Sequence, residues 1–242
     1  MSAFLRLENV CKSFGAVTVA DDLSYDLAEG EALGIIGPNG AGKTTMFNLI
    51  TGTLRPDSGQ VHFQGKNLTG LSAARRCRSG LVRSFQVPQP FSGMTVFENA
   101  MIAATQAAGL TGNAAERLCL EVLDQTGLLD KANTLAGSLP LLGRKRLELT
   151  RALFRRPRLL MLDEIAGGLT EAECTALVGT IRDIHVSGVT IIWIEHVVHA
   201  LLAVVDRLIV IDFGRKIAEG EPQAIMQSPE VQEIYLGIEV DA

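Results

Sequence analysis

Nine consecutive residues, Gly37-Pro38-Asn39-Gly40-Ala41-Gly42-Lys43-Thr44-Thr45, carry the spacing G-x-x-x-x-G-K-[ST]. Glycines so placed let the backbone curl until successive N–H groups converge on phosphate oxygens. A helix starting at the same point adds the positive end of its dipole. In such a loop Lys43 reaches the β- and γ-phosphates of a nucleoside triphosphate, and the Thr44 hydroxyl suits Mg²⁺. The flanks agree, with an apolar run at residues 33–36 predicting a buried strand and residues 46–50 a helix. A dinucleotide loop would instead want G-x-G-x-x-G. The glycines at 34, 37 and 40 do not have that spacing, and Lys43 would be left unexplained.

Two further segments end apolar runs on groups that handle protons and metals. Leu159-Leu160-Met161-Leu162 leads into Asp163-Glu164. A buried strand ending here presents Asp163 to a magnesium ion held by the loop, and places Glu164 to orient or deprotonate an attacking water. Ile191-Ile192-Trp193-Ile194 likewise leads into Glu195-His196. His196 then lies on the same sheet edge as Glu164, within reach of a γ-phosphate. His62, His185 and His199 lack such a position and read as inert.

The elements needed to hold these groups can be read from pattern. Residues 4–10, 23–27 and 61–63 read as strands separated by turn signals such as Pro56-Asp57-Ser58-Gly59. Residues 96–129 are rich in Ala, Leu, Glu and Gln at helical spacing. Buried-strand texture returns at residues 159–162, 189–194 and 207–212, with a helix at 171–185. Strands alternating with helices imply a parallel sheet covered on both faces. The layout is one α/β domain with a helical insert near residues 88–150.

Composition narrows the function classes. The 242 residues are 47% hydrophobic and 20% charged, with 24 Gly and 8 Pro, which excludes collagen-like and disordered chains. With 22 basic against 27 acidic residues and 5% aromatics, the chain lacks the charge and stacking groups of a nucleic-acid binder. Cys11, Cys77, Cys119 and Cys174 are scattered, which suggests core thiols in a reducing cytosol. Arg6 and Glu8 interrupt any signal core, and no run approaches the roughly 20 apolar residues of a membrane helix. A soluble chain is expected. Basic clusters at Arg75, Arg76, Arg78 and Arg83, and from Arg144, Lys145 and Arg146 to Arg151, Arg155, Arg156 and Arg158, read as solvated faces.

With its three motifs in this order, the chain resembles the ATP-binding cassette ATPases along essentially its whole length. Lys12-Ser13-Phe14-Gly15 is similar to the family's aromatic loop, which implies that Phe14 stacks on adenine. Ser84-Phe85-Gln86 is similar to its glutamine loop, which implies that Gln86 touches Mg²⁺ and the attacking water. The resemblance implies a P-loop NTPase (RecA-like) core over residues 4–237, with an N-terminal antiparallel β subdomain and an inserted helical subdomain at about 88–150. Arg83-Ser84-Phe85-Gln86, the stretch 91–99 and Glu233-Ile234-Tyr235-Leu236-Gly237 resemble the ATPase subunits of branched-chain amino-acid importers. That subgroup implies ATP and Mg²⁺ as ligands and a place at the cytoplasmic face of the membrane. It also implies a second cassette, two permease subunits and a solute-binding protein as partners.

One segment departs from the family. Where L-S-G-G-Q or L-S-Y-G-Q is expected, the chain reads Leu139-Pro140-Leu141-Leu142-Gly143. Pro140 replaces the serine that would bond the γ-phosphate, although proline can still start a helix. A charge-assisted bond of ~1.5–3 kcal/mol is lost, roughly 10- to 150-fold in affinity. In this family each ATP lies between one chain's phosphate loop and the other chain's signature. The departure therefore weakens the partner's site and implies a heterodimer of unequal sites.

Overall fold

Burial pattern divides the strands between two sheets. The computed structural model describes residues 3–84 and 88–236. It opens with β1 (Leu5–Phe14) and β2 (Val17–Leu27). In β1, Leu5, Leu7 and Val10 are buried while Arg6 and Asn9 are exposed, the alternation of a sheet covered on one face. β3 (Ala32–Ile36) is buried at every position and leads through the glycine-rich loop into α1 (Lys43–Thr51). β4 (Ser58–Phe63) and β5 (Lys66–Asn67) complete an antiparallel sheet of order β2-β1-β4-β5.

After α2 (Ala73–Arg78) and β6 (Leu81–Arg83) come the helices α3 (Val96–Ala108), α4 (Gly112–Gln125) and α5 (Leu141–Leu153). The expected helical stretch 96–129 is thus two helices, α3 ending on Gly109 in the left-handed region (φ 68°). Strands and helices then alternate: β7 (Leu159–Asp163), α6 (Glu171–Val186), β8 (Thr190–Ile194), α7 (Val198–Leu202) and β9 (Arg207–Asp212). β10 (Arg215–Gly220), α8 (Pro222–Met226) and α9 (Pro229–Leu236) follow. The second sheet runs β10-β9-β3-β8-β7-β6, parallel throughout except for β10. Thr95 with Glu98 and Thr170 with Glu173 form capping boxes that start α3 and α6.

Two cores flank the parallel sheet. On one face, Leu33, Ile35, Ile192 and Ile194 pack with Met46, Phe47 and Ile50 of α1, and with Leu5, Leu7 and Val61 of the antiparallel sheet. The helix behind the phosphate loop therefore lies between two sheets. On the other face, Ile36, Leu160, Leu162 and Trp193 pack with apolar positions of α3 to α7. The period-2 alternation of side chains along each strand supplies both cores at once.

The far end of α1 corrects the reading of the basic residues. Arg76 is not solvated: it is 1% exposed, and its Nη1 donates to the carbonyls of Leu49 and Ile50 at 2.8 Å each. Its Nε and Nη2 reach Leu71 and Thr69 carbonyls at 3.1 Å. Late carbonyls of a helix need such a donor, so Arg76 caps α1 from across the chain. Arg76→Ala should orphan these buried oxygens and leave a void. A loss of about 3 kcal/mol is expected, read as a lower urea midpoint with unchanged slope.

Candidate functional site

Parallel register brings the three motifs to one edge. Ile35 and Asp163 both pair with Ile194, so β3, β7 and β8 end side by side. The glycine-rich loop, the Asp163-Glu164 pair and the Glu195-His196 pair leave the sheet together at its carboxyl edge, where open α/β sheets bind ligands.

The loop has its glycines where a side chain would not fit. A Cβ on Gly37 would lie 2.0 Å from the Ile211 carbonyl oxygen. Gly42, at φ 101°, would place one 2.3 Å from the Val19 oxygen. The first N–H groups of α1 have no intrahelical partner and face a cavity of about 290 Å³. Val19, Asn39, Gly40, Ala41, Gly42, Lys43, Thr44, Thr45 and Glu164 line it. Gly37 and Pro38 form the shoulder of the loop: the Lys43 Nζ donates to their carbonyls at 2.7 and 2.9 Å. Burial holds the Lys43 ammonium below the ordinary lysine range, opposed by Glu164 and Asp163.

Asp163 ends β7 at 3% exposure. Its Oδ2 accepts from Arg83 Nη2 at 2.5 Å, and Arg83 Nη1 donates to Asn48 Oδ1 of α1 at 2.6 Å. Arg83 was expected on a solvated face. Its side chain is only 12% exposed because β6 lies beside β7 in the sheet. Carboxylate and hydroxyl oxygens are hard donors, so Asp163 and Thr44 fit Mg²⁺. Among the described residues no cluster of three or more His, Cys, Asp or Glu could hold a metal alone. Magnesium is commonly bound through one or two carboxylates together with substrate phosphates.

Glu164 adopts a left-handed backbone (φ 47°), a conformation that costs a non-glycine residue of order 1–3 kcal/mol and that clusters at working sites. Its Oε1 lies 3.0 Å from His196 Nε2. Sequence reasoning overlooked Glu195, which is 1% exposed. Glu195 Oε1 accepts from the Ala166 N–H at 2.6 Å, and Oε2 from the N–H groups of His196 and Val197 at 2.9 and 3.3 Å. The loops after β7 and β8 are tied through this one carboxylate. Lys145 of α5, also expected in solvent, is 4% exposed. Burial lowers its pKa, and the fields of Glu195 and Glu164 oppose the shift.

The remaining candidates divide. Phe14, at the turn between β1 and β2, is 53% exposed and so is no core residue. Gln86 lies outside the described residues. In the departing segment, Pro140 takes the N-cap of α5 (φ −62°). Leu139 is buried and Leu141 is 39% exposed. Leu142 is half-buried, and a Cβ on Gly143 would lie 3.3 Å from Leu139. The helix start survives without a hydroxyl at its head.

Comparison with known proteins agrees with this geometry. Residues 20–167 match the ABC transporter family, and residues 215–241 match the branched-chain amino acid ATP-binding cassette transporter family. The chain is 35% identical to the high-affinity branched-chain amino acid transport ATP-binding protein BraF of Pseudomonas aeruginosa, over 96% of this chain and 97% of BraF. It is 32% identical to the lipopolysaccharide export system ATP-binding protein LptB of Acidithiobacillus ferridurans, over 98% of each. Its fold matches MJ1267, an ATP-binding cassette of an ABC transporter, with a TM-score of 0.89 at 31% identity, covering 97% of this chain and 99% of that one. The ADP conformation of MJ1267 matches at 0.87. Sequence, fold and the grouping of motifs on one sheet edge agree: this chain belongs to the ABC transporter family as one of its ATP-hydrolysing subunits.

Proposed function

We propose that this subunit powers import of branched-chain or other hydrophobic amino acids, working beside a different cassette in a pair of unequal ATP sites. The match of residues 215–241 to the branched-chain amino acid ATP-binding cassette transporter family carries the solute reading. Two permeases and a solute-binding protein complete the assembly at the cytoplasmic face of the membrane. The cassette spans residues 4–237, with residues 88–150 as its inserted helical part. No helix among the described residues is long and apolar enough to cross a membrane.

Each residue has a task. Lys43 exchanges the carbonyls of Gly37 and Pro38 for phosphate oxygens, joined by the amides of residues 39–45. Phe14 stacks on the adenine. Thr44, Gln86 and Asp163 hold Mg²⁺, which when bound neutralises charge developing on the phosphates. Glu164 accepts the proton of the attacking water. His196 holds the Glu164 carboxylate through Nε2 at 3.0 Å and stabilises the γ-phosphate beside it.

Pro140, Leu141 and Leu142 support the unequal pair, because they offer the partner's ATP a helix dipole and no hydroxyl. The purified chain alone should hydrolyse ATP slowly and recover turnover with a partner cassette whose signature is intact. Full activity from the chain alone would sink the heterodimer. Leucine uptake that persists in cells lacking this chain would sink the solute reading.

A further inference from the structure

We infer that Arg83 moderates the cation affinity of the metal-binding carboxylate through its positive charge. It engages one oxygen of Asp163 and so sets how tightly the site holds a divalent cation. The inference rests on reading Asp163 as the metal ligand.

Arg83 is anchored on both sides of the site. One arm of its guanidinium donates to Asp163 Oδ2 at 2.5 Å, and the other to Asn48 Oδ1 at 2.6 Å. Its guanidinium carbon lies 5.4 Å from the centre of the Phe47 ring. Asn48 and Phe47 belong to α1, the helix that begins at Lys43, so the fork joins the phosphate-loop helix to the end of β7. One residue further on, the Ser84 N–H donates to the Met161 carbonyl at 2.9 Å and holds β6 beside β7. A guanidinium held at both ends keeps its positive charge fixed beside the carboxylate. Asp163 Oδ1 makes no hydrogen bond among the described residues and is the oxygen left for a cation.

The simpler reading is an ion pair that serves stability alone. Buried pairs contribute little to stability when compared with apolar replacements. The position of this one gives it a second effect. Asp163, Glu164, Lys43 and Arg83 form a group of two negative and two positive charges around the place a divalent ion would take. Arg83 opposes that ion, and removing its charge should favour it. At separations on the order of 6 Å with partial solvent screening, the repulsion corresponds to roughly a tenfold change in affinity.

Mn²⁺ binding to the full-length protein saturated with ADP tests this, with free Mn²⁺ read by electron paramagnetic resonance. Arg83→Gln should tighten Mn²⁺ binding about tenfold. Arg83→Lys keeps the charge and should stay within about twofold of the parent. Asn48→Ala frees the second arm, so the guanidinium can retreat from the ion. It should tighten binding about threefold, and it carries the test should Arg83→Gln not fold. Asp163→Asn should lose Mn²⁺ binding. If Asp163→Asn binds as the parent does, the metal assignment itself falls. If Asp163→Asn loses the ion while Arg83→Gln or Asn48→Ala binds it no more tightly than the parent, the role of Arg83 is refuted.

Discussion

Glu164→Gln is expected to abolish steady-state ATP hydrolysis, by about a thousandfold, while ATP affinity stays within twofold of the parent. The amide has the size of the carboxylate and retains an oxygen for the 3.0 Å contact with His196. The left-handed backbone at residue 164 constrains both residues alike, so the loop should keep its shape. In the proposed role what disappears is the proton acceptor, and general-base contributions run at about 10²–10⁴-fold. Phosphate release and equilibrium binding of a fluorescent ATP analogue, measured on one preparation, separate the two effects. Turnover like that of the parent would remove Glu164 from its role.

Lys43→Ala should behave differently, losing binding and turnover together. Lys43 is 5% exposed, and its ammonium rests on two backbone carbonyls that a phosphate would replace. Hydrogen bonds to charged groups contribute about 1.5–3 kcal/mol each, so losing two should weaken ATP binding by at least about a hundredfold. The empty protein should not suffer equally. Burial disfavours the charged lysine, as its lowered pKa records, so removing the ammonium also removes a desolvated charge. Thermal melting without nucleotide should match the parent within a few degrees, while ATP should no longer raise the midpoint of the variant. A variant that still melts higher with ATP would show that Lys43 is not the main phosphate contact.

The parts of this site that were legible in the sequence are those whose geometry is local. Residues 37–45 lie on one continuous turn of chain, so their spacing alone describes the cradle. Asp163, Glu164 and His196 could be placed because apolar runs ending in polar residues mark strand ends, and parallel strands align those ends. Arg83 and Asp163 are 80 residues apart, and only the β6–β7 pairing brings them together. With three residues, β6 is too short to show a period. Arg76, Arg83 and Lys145 read as solvated charges in the sequence because composition records a charge but not its neighbour. Glu195 was read as the polar end of a strand, since nothing local shows that three N–H groups from two loops converge on it.

That convergence has a mechanical consequence. α7 begins at Val198, directly after the segment Glu195 holds. The same carboxylate grips Ala166, two residues beyond Glu164. The two loops therefore share a fulcrum, with no slack chain between them. A push on the head of α7 from a neighbouring subunit would move the Glu164 side as well as the His196 side, like the two arms of a rocker.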